Sequence, residues 1–184
     1  IETASGVKEV RVYSFNGKVN SASVNLGKAE LAGKKIPCVW NEDKIVNKPV
    51  KIGGQDYKIT LVNIGNPHCV VFSEKVDAVD VETVGPLFEN CDYFPERINA
   101  EFIRVVNKVT IKMRVWERGN GETWSCGTGA AAAVVAAVLN GFCEKDTNIT
   151  VKLRGGDLVV NYHSDGDVEL MGSVKTVYEG KFEI

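Results

Sequence analysis

Between Lys108 and Trp116 the chain alternates strictly, with Val109, Ile111, Met113 and Val115 on one side and Lys108, Thr110, Lys112 and Arg114 on the other. A period of two marks a strand with one buried and one wet face. Further strand patterns run from Val7 to Phe15, Lys18 to Leu26, Tyr57 to Ile64, His68 to Phe72 and Asn99 to Val106. Towards the end lie Ile149 to Leu153, Leu158 to Tyr162, Val168 to Met171 and a last strand within Val174 to Phe182. Asn16-Gly17 separates the first two patterns and is the dipeptide that two-residue hairpins prefer. Gly155-Gly156 and Ser164-Asp-Gly166 mark two more reversals.

Two stretches depart from this period. Val81 to Asn90 predicts a short surface helix. Gly129 to Asn140 predicts a helix that is apolar all round and closed by Gly141 as C-cap. A helix without a polar face has to be enclosed on every side. In a strand-rich chain the enclosing layer must be sheet, so the expected architecture is α+β, a curved mixed or antiparallel sheet wrapped around one central apolar helix.

Composition narrows the function without naming it. Of 184 residues, 44% are hydrophobic and 25% charged, enough for a sizeable core, and the net charge of -2 leaves no basic footprint for nucleic acid. The longest apolar run, Ala130 to Leu139, is about half of the ~20 residues that a membrane span requires. Five cysteines at wide spacings, with no Cys-x-x-Cys pair, fit a reducing, cytoplasmic compartment better than a disulfide framework or a zinc site. There is no Walker A loop, Rossmann glycine fingerprint, metal-ligand spacing or pyridoxal-type lysine, so chemistry without metal or cofactor is expected.

Candidate chemistry centres on Cys126, which stands before Gly127-Thr128-Gly129 and the apolar helix. Free N–H groups and the positive end of the dipole at a helix start lower a thiol's pKa, and glycines there let a carboxylate approach the backbone. On its own, however, Cys126 reads first as a packing cysteine. Glu117-Arg118 closes the cleanest strand before a Gly119-Asn-Gly121 reversal and suits a substrate with ammonium and carboxylate groups; alone it is a surface ion pair. Gly65-Asn-Pro-His-Cys69 presents Asn66 and His68 rigidly at a strand edge, with His68 an acid, base or orienting group, or a hydrogen-bonded structural histidine. His163, the other histidine, sits in a polar turn. Cys38, Cys69, Cys91 and Cys143 read as structural.

Taken together, Gly65-Asn-Pro-His-Cys-Val70, Asn99 in Arg-Ile-Asn-Ala-Glu-Phe, Glu117-Arg-Gly-x-Gly-Glu-Thr123 and Cys126-Gly-Thr-Gly-Ala130 resemble the diaminopimelate epimerase family in order and spacing. The resemblance implies two related domains, each a sheet curled around a central helix preceded by a cysteine, with the active site between them. It implies that LL- and meso-diaminopimelate interconvert by two-cysteine proton transfer at the α-carbon, without pyridoxal phosphate or metal. By this likeness Cys126, His68 and Glu117 are catalytic, Gly127 and Thr128 donate to the reacting carboxylate, and Asn66, Asn99, Glu117 and Arg118 bind the amino acid. A homodimer is implied for the intact protein.

The family's other cysteine block, Cys-Gly-Asn-Gly, is absent, and Gly172-Ser-Val174 stands where Gly-Pro-Ala is expected. Residues 1–26 are therefore expected to be strands of an otherwise missing N-terminal domain, 27–171 a complete second domain and 172–184 a strand returning to the first. This chain alone is expected to be inactive. Competing readings are a related cofactor-independent racemase, a non-catalytic binding or dimerisation module, and a cysteine hydrolase pairing His68 with Cys126.

Overall fold

The computed structural model describes residues 1–3 and 6–182. Two dipeptide strands, β1 (Glu2–Thr3) and β2 (Gly6–Val7), pair with each other. The rest of the β-structure is one eleven-stranded sheet. Its strands are β3 (Val10–Phe15), β4 (Lys18–Lys28), β5 (Lys48–Ile52), β6 (Gln55–Asn63), β7 (Pro67–Phe72) and β8 (Asn99–Asn107). They continue with β9 (Thr110–Glu117), β10 (Gly121–Thr123), β11 (Asn148–Leu153), β12 (Gly156–Tyr162) and β13 (Asp167–Ser173). The order across the sheet is β3-β4-β13-β12-β11-β9-β8-β7-β6-β5, with β10 beside β9. Only β7–β8 and β9–β11 run parallel among these pairs.

The helices are α1 (Val81–Glu89) and α2 (Gly127–Leu139). Asp80 caps α1, its carboxylate accepting from the Thr83 N–H at 3.2 Å. At the end of α2, Gly141 turns left-handed (φ +77°) and the Phe142 N–H closes back on the Ala137 carbonyl at 2.9 Å.

The sheet carries a core on each face, and alternation sorts the side chains between them. Ile59 and Leu61 of β6, Cys69 and Val71 of β7, and Ala100 and Phe102 of β8 pack with Val81 and Phe88 of α1. Val62, Val70, Ile103, Ile111, Met113 and Val115 pack with α2, whose residues from Ala130 to Ala137 have no exposure at all. The α+β expectation of sheet around an apolar helix is met. Strands buried on both faces read as continuous apolar runs, which is why the middle of the chain is so greasy.

Several elements differ from the sequence pattern, three of them near the site or the chain's edges. β5 was not expected; Lys-Pro-Val-Lys-Ile is short and holds Pro49, tolerated because β5 is an edge strand. α2 starts two residues earlier than its apolar pattern, so Cys126 itself is the N-cap. No strand forms in Val174 to Phe182 beyond one bond from the Val174 N–H to the Asn20 carbonyl, and Val177, Tyr178 and Phe182 lie exposed. At the other end, β4 pairs with β13 from Ser21 to Lys28, placing this part of the N-terminal segment in the common sheet. No helix among the described residues is long and apolar enough to cross a membrane.

Candidate active site

Four segments distant in sequence arrive at the N-terminal end of α2. β7 enters from the Gly65-Asn66 turn, where Gly65 takes φ +90° and the Asn63 side chain accepts its N–H at 2.8 Å. In the parallel β7–β8 pair His68 lies opposite Asn99 and Val70 opposite Glu101. β9 delivers Glu117 at its end, and β10 folds back along it towards Cys126.

Cys126 is 7% exposed and extended (φ -137°), and its Sγ accepts from the Gly129 N–H at 3.3 Å, with the Thr128 hydroxyl 3.7 Å away. Burial pushes this thiol up to about 12, and the negative charge of Glu101 adds to the rise, while the Gly129 N–H and the Thr128 hydroxyl oppose it. The helix end therefore acts as expected but does not win, and the anticipated lowered pKa is not found. A helix terminus is worth about 0.3–1 kcal/mol, less than one pH unit, whereas burial moves a group by up to about 3–5 units. At neutral pH Cys126 is therefore a neutral thiol, a proton donor.

His68 is fully buried, with Nδ1 2.7 Å from Glu101 Oε1 and Nε2 donating to the Asn66 side-chain oxygen at 3.0 Å. Asn99, 3% exposed, joins two loops: its Nδ2 donates to the Pro67 carbonyl at 2.7 Å and its Oδ1 accepts the Arg118 N–H at 3.0 Å. Glu117 accepts a hydrogen bond from the Thr123 hydroxyl across the Gly119–Gly121 reversal, where both glycines adopt positive φ. Arg118 donates through Nη1 to the Glu96 carbonyl at 3.0 Å. A side chain at Gly127 would press on Leu170, its Cβ 2.9 Å from Cδ2.

The structure thus brings His68, Asn66 and Cys126 together with Glu101, which no motif singles out. Arg118, Asn99 and Glu117 form an adjoining group tied to it through the Pro67 and Arg118 backbone. Glu101 sits inside Ile-Asn-Ala-Glu-Phe-Ile, a charge where the apolar pattern demands burial, and that conflict was its signal. Glu89 likewise carries no motif signal; it accepts the Gly119 N–H at 2.9 Å and Trp116 Nε1–H at 2.6 Å and so holds the reversal. A polar recess lined by Glu9, Arg11, His163, Asp165 and Glu169 lies at the β4–β13 end of the sheet and contains none of these residues. Among the described residues no group of three or more His, Cys, Asp or Glu is placed to hold a metal ion.

This architecture defines a fold class shared, at the level of shape alone, with solved structures of a racemase and an epimerase. A probable proline racemase from Agrobacterium radiobacter superposes with a TM-score of 0.68 at 13% identity, over 94% of this chain and 56% of that one. A hydroxyproline epimerase from Agrobacterium vitis gives 0.67 at 11% identity, over 94% and 55%. Sequence is more specific. The family profile described as diaminopimelate epimerase matches residues 60–177, and the chain belongs to that family. Diaminopimelate epimerase of Bacillus licheniformis is 43% identical over 185 residues, covering all of this chain and 65% of the relative. That of Acetivibrio thermocellus is 41% identical with the same coverage. The chain therefore spans about 65% of the length of these relatives.

Proposed function

We propose that the intact protein interconverts LL- and meso-diaminopimelate, with Cys126 as one of two cysteines that exchange the α-proton. The observation that carries this reading is Cys126 as N-cap of a buried helix, with Glu101, the partner of His68, reaching the same first turn and the Glu117-Arg118 reversal at the end of β9. One thiolate takes the α-hydrogen as a proton, leaving the C–H electron pair on the α-carbon and the adjoining carboxylate. The opposing thiol then delivers its proton to the other face, so the two sulfurs swap protonation states. Neither step requires a cofactor or metal.

In this scheme the N–H groups of Gly127 and Thr128 receive the reacting carboxylate, whose charge grows as the carbanion forms. His68 and Glu117 support proton transfer, and Asn66 and Arg118 hold the amino-acid groups. Asn99, with both ends of its amide engaged, contributes by holding the Pro67 and Arg118 loops in register. Residues 27–171 form the second domain, while 1–26 and 172–184 serve an N-terminal domain that supplies the other cysteine. By resemblance the working form is a cytoplasmic homodimer.

Two measurements test this. In the intact protein Cys126→Ala is expected to abolish diaminopimelate epimerisation in both directions; near-normal rates would make the cysteine merely structural. The 184-residue chain alone is expected to show no turnover, because one face of the α-carbon has no acid. Robust epimerisation by this chain without added N-terminal residues would refute the two-cysteine scheme.

A further inference from the structure

Glu89, the last residue of α1, is buried among groups that all donate. Its Oε2 accepts Trp116 Nε1–H at 2.6 Å, and its Oε1 accepts both the Gly119 N–H at 2.9 Å and Arg97 Nη1 at 3.0 Å. A carboxylate accepts at both oxygens, whereas an amide of the same shape would turn an NH2 group towards one of these donors. Burying such a group is costly unless it is fully paired, and here both oxygens are engaged.

The two sides of the carboxylate grip the chain on the two sides of Glu117-Arg118. Trp116 stands immediately before that pair and Gly119 immediately after it. The indole is also pressed against α1, where a Cβ on Gly85 would fall 2.4 Å from its ring. Glu117 has further support, because it pairs with Gly121 in the β9–β10 ladder and accepts from the Thr123 hydroxyl. Arg118 lies past the end of β9. Its N–H donates to Asn99 Oδ1 and its Nη1 to the Glu96 carbonyl, each at 3.0 Å. Glu89 reaches that carbonyl too, through Arg97, the next residue in the chain. Arg97 takes φ +61°, a conformation that residues with side chains rarely adopt, and its bond to Glu89 ties the loop to α1. The bond from Nη1 to Glu96 fixes the plane of the Arg118 guanidinium and hence the direction of its remaining N–H groups.

We propose that Glu89 is a positioning residue for substrate recognition, fixing the Glu117–Gly119 reversal and the Glu96 carbonyl so that Arg118 meets a substrate carboxylate already aimed. The inference rests on the diaminopimelate reading. There the reacting carboxylate goes to the N–H groups of Gly127 and Thr128, which leaves the substrate's other carboxylate for Arg118. A guanidinium draws its strength from two parallel bonds to a carboxylate, so an Arg118 that is free to turn keeps its charge and loses the paired contact. That contact lies away from the α-carbon and is the same in bound substrate and transition state. Its loss therefore appears in KM, with kcat retained.

The test is steady-state epimerisation of LL-diaminopimelate by the intact protein and its Glu89→Gln variant, with amide hydrogen exchange followed on the same samples. Glu89→Gln is expected to raise KM about tenfold and to keep kcat within about threefold. Exchange at Arg118 and Gly119 is expected to accelerate about tenfold, while Ile111 to Val115 in β9 keep their rates. Added to Arg118→Ala, the same change is expected to leave KM within about twofold of Arg118→Ala alone. An unchanged KM, a fall in kcat without a rise in KM, or a tenfold rise that persists without Arg118 would each overturn the proposal. Acceleration spread equally through β9 would do so as well, since it marks a loss of stability and not of aim. If the parent protein does not epimerise diaminopimelate, the reading of the reaction falls separately. Exchange at the reversal then decides whether Glu89 fixes Arg118, and an unchanged rate in Glu89→Gln would show that it does not.

Discussion

Glu89 ends α1 and receives donors from three places: Trp116 Nε1–H, the Gly119 N–H and Arg97 Nη1. It is 5% exposed, so the two neutral donors have little water to turn to if it is lost. An orphaned buried donor costs about 1–3 kcal/mol. Glu89→Ala is therefore expected to lower unfolding free energy by about 2 kcal/mol or more in a urea titration. An unchanged midpoint would show that the reversal carrying Arg118 is held by other contacts. Glu89, Asn99 and Glu101 share a property that the sequence hides. Each is a polar residue whose partners come from other strands or loops, so its role exists only once the sheet is assembled. The thiol of Cys126 follows the same logic: the helix start was readable before the fold, but the depth of burial and the approach of Glu101 from β8 were not.

At the scale of elements, α1 meets β9 through one tight contact. A Cβ on Gly85 would fall 2.4 Å from the Trp116 ring. Helix propensity alone would favour alanine there by about 1 kcal/mol, whereas overpacking costs about 1–3 kcal/mol. Gly85→Ala is expected to destabilise, read as a lower denaturation midpoint; a raised midpoint would show that the indole moves aside freely. Elements with an internal rhythm were legible from the chain, above all β9 with Ile111, Met113 and Val115, and α2 with its alanines. Those defined by a neighbour were not. β10 has three residues and exists because it pairs with Glu117, Trp116 and Val115. The apolar residues from Val174 to Phe182 have the composition of a strand and no partner to make them one. The motif residues around the site were legible because they cluster in short blocks; the ties that aim them span the fold.

For the whole molecule the clearest mark is asymmetry. α2 is buried from Gly129 to Ala137, yet Val12 and Phe15 of β3 and Val177, Tyr178 and Phe182 of the tail are strongly exposed. If residues 1–26 and 172–184 serve an N-terminal domain, amide hydrogens from Val174 to Phe182 should exchange quickly in this chain and slowly in the intact protein. Equally fast exchange in both would contradict that assignment. The pairing of β4 with β13 carries a further consequence. Asn25 donates to Asp167 at 2.9 Å across 142 positions, so the seam that places β4 in the sheet joins segments far apart in sequence. During synthesis β4 leaves the ribosome well before β13 and must wait, its edge unpaired, until β13 has been translated. Contacts so distant close slowly and leave strands open to wrong partners in the meantime. Maturation on the ribosome, rather than the stability of the finished sheet, is then the stage at which this protein is most open to aggregation.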